Sequence, residues 1–246
     1  MSLKGRHILV TGAARGLGAE IARSLAAKGA RLILADIAEE EGRATADTLG
    51  AGFVHVDLAD PQSIKTCGAQ VAAMTDGTLH GLINNGAIAT GIGGIPYDEI
   101  EIDSWDLVQR VNVRGTWLMI RACAPLLKAS GSGRVVNMAS DTALWGAPRL
   151  MSYVASKGAV IAMTRSFARE LGPDRIGVTA VAPGILTTES TDYVPEARHR
   201  QYAEGRAVPG PQAPQDITDV VAFLVEEGAL TLTGQLLPVN NGFVFA

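Results

Sequence analysis

The feature that most restricts how this chain can fold is a regular alternation of short β-branched runs with longer stretches of helical periodicity. It begins with HILVT over 7–11, a helical pattern over 16–28, RLILAD over 31–36, a second helical pattern over 38–49 and a third apolar run over 53–56. Apolar runs of this kind read as strands buried on both faces, and the patterns between them as crossover helices of a parallel sheet. The alternation continues with a helix after Pro61, a strand over 79–84 and a long helix over about 104–127. After these come a strand over 134–139, a helix over 152–171, a strand over 176–182, a helix over 214–226 and a final strand over 235–239. Seven strands joined by crossovers predict an α/β fold, a doubly wound seven-stranded parallel sheet with helices on both faces. Residues 1–246 are expected to form a single domain, since no linker, repeat or low-complexity tract divides them. Residues 189–214 differ in kind, with Pro195, Pro209, Pro211 and Pro214 and one short helical pattern around 196–204, and are read as a substrate lid within that domain.

Composition narrows the function classes. A formal charge of −4 at pH 7 argues against wrapping nucleic acid, which needs a surplus of Lys and Arg facing the phosphates. The two cysteines, Cys67 and Cys123, support neither a disulfide framework nor a zinc site, and His7, His55, His80 and His199 have no ligand spacing, so no metal is expected. No apolar run reaches the roughly 18 residues of a membrane span, and the first is too short for a secretory signal. A cytoplasmic enzyme or binding domain remains, with small-molecule partners and neither nucleic acid nor membrane. Glycine is in surplus, at 28 of 246 residues.

Three of those glycines open the first helix in TGAARGLG, as Gly12, Gly16 and Gly18. A dinucleotide pyrophosphate needs a tight turn, a backbone free of side chains at closest approach and the N–H groups of a helix N-terminus, and a glycine-rich strand-to-helix turn supplies all three. The fold is thereby expected to be a Rossmann fold. Arg15 and Leu17 belong to the same turn. Asp36 ends the second strand, 18 residues after Gly18. A carboxylate there accepts hydrogen bonds from ribose hydroxyls and repels a 2′-phosphate, which favours NAD over NADP. Arg15 points the other way, since a guanidinium can pair with that phosphate. Asp36 outweighs it, because the next residue, Ile37, adds no second cation.

The spacing T-G-x-x-x-G-x-G, together with Tyr153-x-x-x-Lys157, resembles the classical short-chain dehydrogenases/reductases, and the likeness runs from Thr11 to about Gly242. The matching positions also include Asp57, Asn84-Asn85, Asn112, Ser140, Pro183-Gly184 and Thr188. Residues four apart on a helix share a face, so Tyr153 and Lys157 can address one cofactor. A neighbouring ammonium favours phenolate, which makes Tyr153 a competent acid/base for an alcohol or ketone. The resemblance implies that Lys157 also holds the nicotinamide ribose, that Ser140 hydrogen-bonds the substrate oxygen and that Asn112 holds a relay water. It further implies that Asp57 and the backbone of Leu58 lie at the adenine, Asn85 along the adenosine, and Pro183, Gly184, Leu186 and Thr188 at the nicotinamide. A homotetramer, built through the long helices with Trp117, Leu118, Val160 and Phe167, is implied as well.

Three positions depart from the family pattern. Asn84-Asn85-Gly86-Ala87 stands where Asn-Asn-Ala-Gly is usual, and Ala87 costs roughly 1 kcal/mol if its backbone must be left-handed. Thr179 replaces an Asn, and Asn240-Asn241-Gly242 replaces acid-Gly-Gly; Asn tolerates the left-handed region, so the second turn is expected to survive. Trp145, in the loop between Ser140 and Tyr153, is expected to touch substrate along with Ser140, Tyr153 and Ile185. Leu144, Met151, Tyr193 and Tyr202 are expected to complete a mainly apolar pocket, suited to a medium-sized hydrophobic secondary alcohol, cyclic or aromatic. The competing expectations are an NADPH-dependent reductase of carrier-linked 3-oxoacyl groups and a non-catalytic nucleotide-binding interaction protein on the same fold.

Overall fold

The structure is a computed structural model that describes residues 2–188, 191 and 194–246. Its strands are β1 (His7–Thr11), β2 (Arg31–Asp36), β3 (Gly52–His55), β4 (Gly81–Asn84), β5 (Arg134–Met138), β6 (Gly177–Pro183) and β7 (Leu236–Val239). They form one parallel sheet in the order β3-β2-β1-β4-β5-β6-β7. The connections carry α1 (Gly16–Ala27), α2 (Glu39–Leu49), α3 (Pro61–Met74), α4 (Ile102–Gln109), α5 (Thr116–Ala129), α6 (Thr142–Trp145), α7 (Met151–Leu171), α8 (Glu196–Gly205) and α9 (Gln215–Leu224). The expected seven-stranded, doubly wound Rossmann architecture is therefore present.

Side chains of β1 alternate between the two faces of the sheet, as the period of two dictates. Ile8 and Val10 pack with Ile21 and Leu25 of α1 and Ile217 and Val221 of α9. Leu9 faces the other way, into a layer with Cys67 and Val71 of α3 and Ile120 and Cys123 of α5. Both thiols are buried and unpaired; burial pushes Cys67 up to about 12 and Cys123 higher still.

Two sequence expectations are corrected. The long helix expected over about 104–127 is interrupted by a π-helical segment, Arg110–Gly115, which separates α4 from α5. Val160, expected on an outer face of α7, is 1% exposed and packs inward with Ala139 and Ala180. Trp117 on α5 does face outward, at 43% exposure, in a groove of about 440 Å³ with Arg110, Val113 and Met163.

Candidate active site

The order of the sheet reverses between β1 and β4, and the carboxyl ends of strands at such a switch point are where α/β sheets bind ligands. The glycines of the first turn have separate physical reasons to be there. Gly12 has φ +63° and a Cβ on it would meet Gly86 Cα at 2.5 Å, so the turn presses on the loop after β4. A Cβ on Gly18 would lie 2.0 Å from the Gly12 carbonyl oxygen. Gly16 has φ +55° and open space where its Cβ would be. A cradle of bare backbone at the start of α1 thus fits a pyrophosphate.

The loop beside it is fixed by side chains. Thr11 Oγ1 accepts from the amides of Asn85 (3.1 Å) and Gly86 (3.0 Å), and Asn85 Nδ2 donates to the carbonyls of Thr11 (3.1 Å) and Gly12 (2.9 Å). Asn85 therefore holds the glycine turn itself. A Cβ on Gly86 would meet Leu58 Cδ1 at 2.8 Å and the Gly12 backbone N at 3.1 Å, so glycine there lets the loop lie close against the turn; neither Gly86 nor Ala87 has a left-handed backbone, so the anticipated cost at Ala87 does not arise. Asn241 does take the left-handed conformation, at φ +55°, as expected.

Asp36 receives the Ala14 amide on Oδ2 (2.9 Å) and the Ala38 amide on Oδ1 (3.0 Å). A carboxylate offers about four acceptor sites, so these two bonds orient the group and leave capacity for hydroxyls. Arg15 is exposed and lies 3.7 Å from Glu41. Asp57 Oδ1 accepts from the Ala59 amide (2.8 Å), which fixes the turn through Leu58.

Two strands along from β1, at the carboxyl end of β5, α7 brings Tyr153 and Lys157 against the sheet. Lys157 is 4% exposed; its Nζ donates to the Met138 carbonyl (2.6 Å), two residues before Ser140, and lies 5.5 Å from the Tyr153 ring centroid. Burial lowers the Lys157 ammonium to about 8. Ser140 Oγ accepts from Thr142 Oγ1 (2.9 Å), which leaves its own hydrogen to donate. Asn112 sits inside the π-helical segment with its amide committed: Oδ1 accepts from the Ile88 amide (2.8 Å), and Nδ2 donates to the Ile88 carbonyl (3.0 Å) and Ser156 Oγ (3.1 Å). Its side chain is thereby a brace between the loop after β4 and α7.

Gly184 is close-packed, since a Cβ would lie 3.1 Å from Asp141 Oδ2 and 3.2 Å from Asn240 Cβ. The Ile185 carbonyl accepts from the Arg206 guanidinium (2.7 Å), Leu186 is buried, and the Thr188 amide donates to Thr191 Oγ1 (3.1 Å). Thr179 keeps a hydroxyl bond, to the Leu232 carbonyl (3.3 Å). Pro183 pairs with Val239 across β6 and β7.

The expected pocket wall divides. Met151 lines a cavity of about 430 Å³ with Pro96, Tyr97, Pro148, Arg149 and Val154, so its wall is mainly apolar with one cation. Leu144 packs inward against the Ala139 cluster. Tyr202 is 2% exposed, with its hydroxyl held inside the protein rather than offered to a pocket. Trp145 is engaged with α8 and the C-terminal segment, its Nε1 donating to Tyr202 Oη (3.0 Å) and its ring edge-on to Phe243. Tyr193 lies outside the described residues. Sequence reasoning missed Asp141 and Arg206 and read Asn240 only as part of a turn, because their partners are far apart in the chain; a carboxylate at the end of the apolar run VVNMASD was the one available signal. Among the described residues no group of three His, Cys, Asp or Glu is placed to hold a metal, and no helix is long and apolar enough to cross a membrane.

A family profile described as Enoyl-(Acyl carrier protein) reductase matches residues 12–244. A 3-alpha-(or 20-beta)-hydroxysteroid dehydrogenase of Mycobacterium tuberculosis (strain ATCC 25618 / H37Rv) is 36% identical, covering 98% of this chain and 90% of the relative. A trans-4-hydroxycyclohexanecarboxylate dehydrogenase of Sinomonas cyclohexanicum is 34% identical, over 95% and 91% of the two chains. Among solved structures, a 3-ketoacyl-(acyl-carrier-protein) reductase from Brucella melitensis complexed with NADH superposes with a TM-score of 0.90 at 28% identity, over 99% of this chain and all of that one. With a dinucleotide cradle after β1 and a Tyr–Lys pair at the carboxyl end of β5, two strands along, this chain belongs to the short-chain dehydrogenase/reductase family. Its relatives are oxidoreductases, and the family binds a nicotinamide cofactor.

Proposed function

We propose that this chain transfers hydride between NAD and a medium-sized, hydrophobic secondary alcohol or its ketone. The observation that carries the reading is the seat of Lys157, buried beside the Tyr153 ring and bonded to the carbonyl of Met138, the last residue of β5, two residues before Ser140. NAD supplies the hydride acceptor. In oxidation Tyr153 Oη takes the hydroxyl proton of the substrate, and in reduction it returns it. The Lys157 ammonium favours the phenolate. Ser140 Oγ donates to the substrate oxygen, where charge develops. Asn112 keeps Ser156, and with it the first turns of α7, in register with the site.

Gly12, Arg15, Gly16, Leu17 and Gly18 would hold the pyrophosphate end of the cofactor, Asp36 the adenosine ribose, and Asp57, Leu58 and Asn85 the adenine side. Lys157, Pro183, Gly184, Leu186 and Thr188 would hold the nicotinamide end. NAD is favoured over NADP because the Asp36 carboxylate would repel a 2′-phosphate, and because Glu41, 3.7 Å from Arg15, competes for the one nearby guanidinium that could pair with it. A ring-borne hydroxyl is favoured by the names of two relatives, a hydroxysteroid and a hydroxycyclohexanecarboxylate dehydrogenase, and by the apolar wall around Met151 and Tyr97. Ser140, Trp145, Tyr153 and Ile185 are the proposed substrate contacts. The chain works as one domain, with α8 and the segment after it as the described part of the lid. A homotetramer is proposed through the outward face of Trp117, and the two buried free thiols suit a cytoplasmic setting.

The test is a panel of cyclic and aromatic secondary alcohols with NAD and NADP, read at the absorbance of the reduced cofactor. Turnover with NAD at least tenfold better than with NADP is expected. A preference for NADP, with activity on 3-oxoacyl thioesters, would replace this reading by the carrier-linked reductase.

A further inference from the structure

One residue after Ser140 the chain carries Asp141, a carboxylate that is 0% exposed. Its Oδ1 accepts from Tyr202 Oη (2.8 Å) on α8, and its Oδ2 from Asn240 Nδ2 (3.3 Å) just after β7. Tyr202 Oη in turn accepts from Trp145 Nε1 (3.0 Å), so indole, phenol and carboxylate form a directed chain that ends on a charge. Tyr202 also stacks on Phe243, with ring centroids 4.1 Å apart. Burial pushes the Asp141 carboxyl up to about 6, and the bonds from Tyr202 and Asn240 together with the nearby Arg206 guanidinium hold it from rising further. Arg206 itself donates to the carbonyls of Gly210 and Ile185. Four segments far apart in sequence, around residues 145, 185, 202 and 240, thus converge on one carboxylate beside Ser140.

A buried charge is a costly way to fill space, and an apolar side chain of similar volume would often stabilise the fold better. What the carboxylate provides instead is a unique geometry. Hydrogen bonds to a buried charge reinforce one another along a chain, and they admit only the arrangement in which every donor points at it.

We infer that Asp141 is a positioning residue for substrate: through Tyr202 it fixes α8 and the Trp145 indole in the segment that follows Ser140, and so sets substrate affinity. The inference rests on the proposed function for what the site does, and on the geometry alone for what Asp141 holds.

Asp141→Asn keeps the size of the side chain, removes the charge and sets an amide donor against Asn240 Nδ2. Tyr202→Phe keeps the ring stacked on Phe243 and removes only the hydroxyl. The first readout needs no substrate: limited trypsinolysis with mass-spectrometric assignment of the cuts. Cleavage after Arg198 or Arg200 in α8 is expected to rise about tenfold in either variant, while cleavage after Arg165 or Arg169 in α7 stays at the parent rate. Unchanged cleavage in α8, or a parallel rise in α7, would overturn the inference. The second readout uses cyclohexanol and NAD. KM for cyclohexanol is expected to rise about tenfold in both variants, with kcat and the Kd of NADH each within twofold of the parent. A fall in kcat with KM unchanged would also overturn it. Should the parent fail to oxidise cyclohexanol or any other secondary alcohol, the proposed function fails, and the trypsin result still decides what Asp141 holds.

Discussion

Tyr153 and Lys157 lie one helical turn apart, and each imposes a separate expectation. A phenol that moves the substrate proton contributes about 10²–10⁴-fold to rate. Tyr153→Phe is therefore expected to lower kcat by that factor while NADH binding, followed by fluorescence, stays near the parent value. Lys157 carries a cost that the free protein must bear. Its ammonium is lowered by burial to about 8 from 10.5, so between these pH values the unfolded chain binds more protons than the folded one. Stability then rises with pH through that window, and the penalty is full below about 8. Lys157→Met removes both the charge and its bond to Met138. Denaturant titrations are expected to show Lys157→Met more stable than the parent at pH 7, with the gap closing by on the order of 2 kcal/mol by pH 10. A gap that does not change with pH would place the lysine in a less costly environment than its burial implies.

Among the elements, the turn from β1 into α1 separates backbone conformation from space. Gly16→Ala meets open space but keeps a left-handed φ, and is expected to cost about 1–2 kcal/mol in a denaturant titration. Gly18→Ala drives a methyl group to 2.0 Å from a backbone carbonyl, and is expected to cost more than Gly16→Ala and to abolish NADH binding. Both glycines were legible in the sequence, because their motif sits between a strand pattern and a helix pattern. The strands were legible for the same reason: a run buried on both faces has no polar alternation to confuse it. The π-helical segment was not legible. Its hydrogen bonding is decided by Asn112, whose side chain turns to the Ile88 backbone, 24 residues away, and helical periodicity carries no trace of that partner. Trp145 and Tyr202 were both singled out as pocket aromatics, yet they bond to each other across 57 residues. Asp141 was not legible, because its partners Tyr202 and Asn240 lie 61 and 99 residues away. Val160 was misplaced because α7 is covered on more than one face, so a stripe of apolar residues did not tell which one looks outward.

At the scale of the whole molecule, Trp117 is a large aromatic that the fold leaves uncovered on its α4–α5 side, in a groove bordered by Asp106, Arg110 and Arg114. If copies of the chain meet there, Trp117→Glu sets a carboxylate against that contact. Light scattering is expected to find the parent as a tetramer and Trp117→Glu as a smaller species, with the thermal midpoint of the dissociated form lowered. The core below offers a second use. Cys67 and Cys123 belong to the same packed layer, on α3 and α5, and burial keeps both as thiols at neutral pH. A thiol reacts as thiolate, so neither can be alkylated until that layer parts. Iodoacetamide in excess should then label both cysteines at one common rate, equal to the rate at which the layer opens. The molecule thereby carries a native stopwatch for its own unfolding, with no engineered probe, and a saturating cofactor should slow it by the factor its binding energy dictates.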